Sequence, residues 1–241
     1  MTIPQRNFLF LNIGHLLDHF FMLIFTTAVL KMESEFADSY GRLLLLTTWS
    51  FFFFGGASLP AGWLGDRWSR RGMMFVFFIG IGAASVLTGF AKDPFHVEIG
   101  LALIGVFAAI YHPIGLALVV EDAARVGRAL AINGVWGNMG VALAALTTGA
   151  IADLYGWRMA FIIPGIIAIG IGVCYGLHLL SGVASDAQGA GKKTPPKVPV
   201  SVQKRVFLFL IVAPLVGGLI FQATTISLPK IMDERLSQLL P

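Results

Sequence analysis

Seven apolar, almost uncharged runs of roughly 20 residues dominate this chain of 241 residues. They cover residues 8–30, 43–64, 73–91, 99–120, 129–152, 159–180 and 206–229. A helix rises about 1.5 Å per residue, so each run can cross about 30 Å of hydrocarbon. None alternates with the period of two that an outer-membrane strand requires. The first run is not a cleaved signal. It is too long, carries Asp18 and two histidines, and lacks a small-x-small cleavage site. Composition agrees, because only 12% of residues are charged and 56% are hydrophobic. A soluble domain carries about 25% charged residues, so a soluble enzyme is excluded. The single cysteine, Cys174, excludes a disulfide framework and a cysteine-rich metal site. An all-α, polytopic membrane protein with seven transmembrane helices is expected.

Basic residues set the expected orientation. One set of connections holds Arg6, Arg67, Arg70, Arg71, Arg125, Arg128, Lys192, Lys193, Lys197, Lys204 and Arg205. The other holds only Lys31, Arg42, Lys92, Arg158, Lys230 and Arg235. The larger set belongs on the cytoplasmic side, which places the N-terminus in the cytoplasm and the chain in the cytoplasmic (inner) membrane.

Six runs follow in quick succession over residues 1–180, as one six-helix bundle would require. Residues 181–205 then turn to Ser, Gly, Gln and Lys with Pro195, Pro196 and Pro199, the composition of a flexible cytoplasmic linker. Residues 206–241 hold a seventh span and the start of a second bundle. The pattern is that of a six-plus-six helix plan cut after its seventh span, with its C-terminal half missing. An internal repeat supports this plan. Gly62, Asp66 and Arg71 between spans two and three recur as Gly149, Asp153 and Arg158 between spans five and six, at one offset of 87. The copies fall on opposite sides of the membrane, the trace of inverted three-helix repeats.

The segment Gly62-Trp63-Leu64-Gly65-Asp66-Arg67-Trp68-Ser69-Arg70-Arg71 resembles the loop 2–3 signature of the major facilitator superfamily, Gly-x-Leu-x-Asp-Arg-x-Gly-Arg-Lys/Arg. Ser69 stands where that signature has its second Gly, an exchange expected to distort the tight turn. Gly156-Trp157-Arg158 with Phe161 and Gly165 is similar to the superfamily's opening of span six. Within the superfamily, Gly14-His15 with Asp18 and Tyr111-His112-Pro113 look similar to the fosmidomycin-resistance-like exporters. Two features depart from drug–proton antiporters. Span four has no intramembrane Arg, and span five has Gly134, Gly137, Gly140 and Gly149 but no Gly-Pro pair.

The loop also reads physically. Asp66 can accept hydrogen bonds from the free backbone N–H groups that open span three. Arg67, Arg70 and Arg71 can reach Glu121 and Asp122 at the end of span four, with Arg125 and Arg128 on the same side. Such a cluster is a gate that closes in one state and opens in another. Positive-inside anchoring alone accounts for Arg6 and Arg128, but not for the Gly62-to-Asp66 spacing.

Asn12, His15, Asp18, His19 and Met22 recur at steps of three and four, so they share one face of span one. A charged Asp at the bilayer centre costs about 2.5–3.5 kcal/mol even on the lenient insertion scale, and nothing in local folding requires it. Asp18 with His15 and His19 is therefore the expected site of proton or substrate coupling. A structural polar cluster is the plain alternative. His15 and His19 also have metal-compatible spacing, although Leu16 stands where a zinc protease keeps its catalytic Glu. Pro113 predicts a kink in span four. The resemblance implies that spans one and four line a central cavity, which brings His112 to face this cluster. Asn12, Asn138 and Gln222 are the cavity candidates. Asn133 and Trp136 could equally serve helix–helix bonding, and Gly134, Gly137 and Gly140 read as close-packing positions.

The expected function is secondary active transport of a small solute by alternating access, proton-coupled and outward. A metal-cation or organic-anion transporter of the same fold and a non-transporting membrane scaffold or sensor stay open beside it. No enzyme activity, cofactor, resident metal or nucleic-acid partner is expected. The partners are a small-molecule substrate, protons and the lipid bilayer.

Overall fold

The computed structural model describes residues 3–183 and 199–236, and all of their regular structure is helical. The expected linker falls largely on residues 184–198, outside the described residues. Span one is α1 (Ile3–Ala28), extended by a 3-10 turn, Val29–Lys31, and followed by the short α2 (Glu33–Phe36). Span two is broken into α3 (Tyr40–Leu44), α4 (Thr47–Gly56) and α5 (Ser58–Arg67). Span three is α6 (Arg70–Gly89). Span four is α7 (Pro94–Ala108), a wide π-type turn over Tyr111–Gly115, and α8 (Leu116–Glu121). Spans five and six are α9 (Val126–Tyr155) and α10 (Trp157–His178). Six stretches among the described residues are long and apolar enough to cross a membrane, and they coincide with the first six runs of the sequence. The seventh run lies within one continuous helix, α11 (Val200–Leu236), a unit to itself.

Local chemistry explains the helix starts. Pro94 occupies the first turn of α7, where its missing N–H costs nothing, and the Asp93 side chain accepts from the His96 N–H. At α6 the Ser69 hydroxyl accepts from the Gly72 N–H at 3.0 Å. Ser69 adopts an extended φ of −164°, so glycine's left-handed freedom is not needed there. The expected distortion of the turn is absent, because serine caps the helix. Ser69 also takes the capping role expected of Asp66.

The packing has the approximate two-fold symmetry that the repeat implies. Span one packs along span five, span four along span two, and span three along span six. Shifting every partner by three spans reproduces the same set of pairs. Two glycines make the crossings close. A methyl group at Gly140 would collide with the Leu16 carbonyl oxygen of span one, and one at Gly105 with the Ser50 carbonyl oxygen of span two. Lipid is as apolar as a leucine side chain, so close van der Waals contact is what holds such helices together. Gly134 faces open space instead, so the packing role expected of the glycine series holds for Gly137 and Gly140 and not for Gly134. Phe21, Ile24 and Phe25 of α1, Phe77, Phe78 and Ile81 of α6, and Phe161 and Tyr175 of α10 are fully buried among these spans.

Candidate functional site

The middle of span one carries the polar face expected from its spacing, and the turn in span four completes it. Pro113 has no N–H for a regular helix, and the backbone answers with the wide turn Tyr111–Gly115. Such turns re-aim side chains and recur at functional sites. This one aims His112 at Asp18, with Nε2 3.2 Å from Oδ2. Asp18 has no exposure, while the His112 side chain is 38% exposed. Neither Asp18 oxygen has a hydrogen bond of good geometry among the described residues, so His112 is the close partner of a dry carboxylate.

His15 Nδ1–H donates to the Asn133 carbonyl oxygen at 2.8 Å. That bond fixes the tautomer, because a carbonyl can only accept, and it leaves the Nε2 lone pair to accept from His19. His15 Nε2 lies 3.2 Å from His19 Nε2. The rings of His15 and His19 both meet His112 edge-on, at centroid separations of 5.6 and 5.7 Å. Tyr111 stacks on His15 at 4.9 Å, and Gly137 lets α9 pass close against the His15 ring.

A second layer holds these groups in place. Tyr111 Oη–H donates to the Leu11 carbonyl oxygen at 2.8 Å and accepts from Asn133 Nδ2 at 2.9 Å. Asn133 Nδ2 also reaches Asn12 Oδ1 at 3.0 Å. Asn133 and Asn12 are buried, so Asn12 belongs to the network that joins spans one, four and five rather than to an open cavity wall. Asn138 is exposed one position beyond Gly137. Gln222 lies on α11, where its Oε1 accepts from Thr225 Oγ1 at 3.4 Å. Of the expected cavity residues, only Asn12 is brought to the histidine cluster within the first unit. Asn133 makes the helix–helix bonds that the sequence left open for it, and Tyr111 is the residue that sequence reasoning left without an assigned role.

Four of the residues expected to form the gate, Asp66, Arg70, Arg71 and Glu121, lie at one end of the bundle. Arg70 bridges Asp66 at 2.8 Å and Glu121 at 3.1 Å. Arg71, nearly buried, bonds Asp122 at 2.9 Å. Arg67 lies over the Trp63 ring at 4.6 Å, so its cation serves the aromatic face rather than an acid at the end of span four. Gly62 sits against Pro113 of the wide turn. Arg125 is exposed and forms no ion pair among the described residues.

The opposite end carries a matching set. Glu35 takes two bonds from Arg158, at 2.6 and 2.9 Å, and one from Trp157 Nε1 at 2.8 Å. Lys31 pairs with Asp153 at 2.6 Å. Arg71 and Arg158 are repeat mates, and so are Glu35 and Asp122, at the same offset of 87. Each arginine thus pairs with the acid of the other repeat. The arginine and tryptophan bonds hold the Glu35 carboxyl below the ordinary range of a glutamate.

Two inverted three-helix units that pair with each other at both ends around a mid-span polar cluster define the class: a helical membrane fold of the inverted-repeat kind. The chain belongs to the Major Facilitator Superfamily, whose family model matches residues 11–240. Puromycin resistance protein pur8 of Streptomyces alboniger is 34% identical over 120 residues, 48% of this chain and 24% of that protein. The membrane sensor protein UhpC of Salmonella typhimurium is 26% identical over 167 residues, 67% of this chain and 37% of that protein. A bacterial homolog of the human lysosomal transporter Spinster, solved inward-facing and unoccupied, superposes with a TM-score of 0.72 at 18% identity. That match covers 82% of this chain and 46% of the solved one. The chain thus spans less than half the length of each.

Proposed function

We propose that this chain forms the N-terminal half of a secondary transporter that exports a small solute in exchange for protons, with its N-terminus in the cytoplasm of the inner membrane. The observation that carries the reading is Asp18, fully buried at mid-span with His112 3.2 Å away. An acid at that depth is costly unless it faces a partner or a pathway. With His15 and His19 adjoining, the four groups form one ionisable unit. Such a unit exchanges protons in a way that depends on which side of the membrane it faces. The paired ion clusters at the two ends supply the alternating closures, since opening one end requires breaking only that end's bonds. The excess of Arg and Lys at the Arg70 end supports placing that end inside. Similarity to a puromycin resistance protein supports outward movement of an organic solute.

The test is counterflow of puromycin in proteoliposomes holding the whole transporter that contains this chain, measured across a range of pH. Wild type exchanges solute with a pH dependence; Asp18→Asn and His15→Ala lose most of it. Full, pH-dependent activity in both variants would overturn the coupling role. A second reading, a membrane sensor that binds solute without moving it, draws on the similarity to UhpC. It predicts saturable solute binding with no counterflow in the wild type.

A further inference from the structure

We propose that His15, His19 and His112 form a binding site for a divalent transition-metal cation such as Zn²⁺, with Asp18 behind it as the compensating carboxylate. Binding goes beyond the transport reading and needs no transport to occur. One ring nitrogen from each of the three histidines lies within 4.8 Å of the others. Zinc holds imidazole nitrogens at about 2.0–2.1 Å in a tetrahedron, which separates neighbouring ligand atoms by about 3.3 Å. His15 Nε2 and His19 Nε2 already stand 3.2 Å apart as hydrogen-bond partners, close to this edge of the tetrahedron; an ion would take the place of the shared hydrogen, with His19 carrying its proton on Nδ1 instead.

The surroundings are those a metal-bound histidine requires. A ligating imidazole uses one nitrogen for the metal and donates from the other to a carbonyl or carboxylate. His15 does so through Nδ1–H to the Asn133 carbonyl oxygen. His112 Nε2 lies 3.2 Å from Asp18, the carboxylate–histidine arrangement that orients such ligands and offsets cationic charge in a dry place. Three nitrogens select a borderline transition metal over Mg²⁺ or Ca²⁺, which take oxygen ligands. His19 and His112 are only partly buried, which leaves an approach for the ion and a position for a fourth ligand. The ligands come from span one and from the wide turn of span four, so a bound ion would staple the two repeats at mid-span.

Calorimetric titration of the purified, detergent-solubilised protein with ZnCl₂ tests this. One Zn²⁺ per chain at micromolar affinity or tighter is expected. His19→Ala and His112→Ala should each weaken binding at least tenfold, and Asp18→Asn about 10–100-fold, the usual effect of losing an outer partner. X-ray absorption of the zinc-loaded wild type should show three nitrogen neighbours at about 2.0–2.1 Å, a readout independent of whether any variant folds. No saturable binding would overturn the proposal. So would an unchanged affinity in both histidine variants, which would assign the ion to the exposed His96–Asp93 pair. Either failure would leave proton-coupled counterflow as it was measured.

Discussion

At the scale of single residues, the Tyr111 hydroxyl bonds span four to the backbone of span one and accepts from span five. Tyr111→Phe keeps the ring stacked on His15 and removes only those bonds. It should lower stability by about 1 kcal/mol, the usual size of an interhelical hydrogen bond in a membrane. Unfolding in mixed detergent measures it. Glu35 gives a pH prediction with a definite sign. Its folded carboxyl titrates below the unfolded value because Arg158 and Trp157 bond the charged form. Its contribution is therefore complete above the ordinary glutamate range, near pH 4.3, and is lost as pH falls through the lower folded value. The stability gap between wild type and Glu35→Gln should be constant from neutral pH to about 5 and vanish on further acidification. The gap itself should be small, since both side chains are over a third exposed. The Asp18 face was legible in the sequence from its three-and-four spacing. The place of Tyr111 was not, and the bonding role open to Asn133 named no partner, because a tyrosine and an asparagine in apolar helices carry no signal of which neighbour they meet.

Among elements, the crossing of α9 over α1 depends on the absence of side-chain volume. Gly140→Val forces a branched side chain against the Leu16 backbone and should cost about 1–3 kcal/mol, the range for overpacking a fitted interface. Gly134→Val, six residues earlier and facing open space, should be neutral in the same unfolding measurement. Run length and charge were enough to locate the six spans. They could not show that span two is made of three pieces or that span four turns wide at Pro113. A proline predicts a lost hydrogen bond, yet the relief chosen depends on what packs alongside, here Gly62 and Tyr111. Ser69 makes the same point in reverse. As a departure from a family signature it read as damage, and in place it is a helix cap.

For the whole molecule, the offset of 87 is the organising fact. Three matched residues in the sequence hinted at an inverted repeat. The packing of span one on five and four on two, and the crossed Arg71–Asp122 and Arg158–Glu35 pairs, give the hint its physical content. Glu35 could have been found by asking what stands 87 residues before Asp122. Asp and Glu are different letters with the same charge, and a search for identical residues passes over them. Ion pairs at each end with one buried carboxylate between them are the arrangement on which the proposed coupling of a side-dependent opening to a proton rests. Proton exchange on solute binding tests that coupling most directly, followed with a pH indicator in weakly buffered, purified protein as puromycin is added. The wild type should exchange protons in proportion to bound solute, and Asp18→Asn should bind solute with no proton exchange. Equal proton exchange in both would contradict the account.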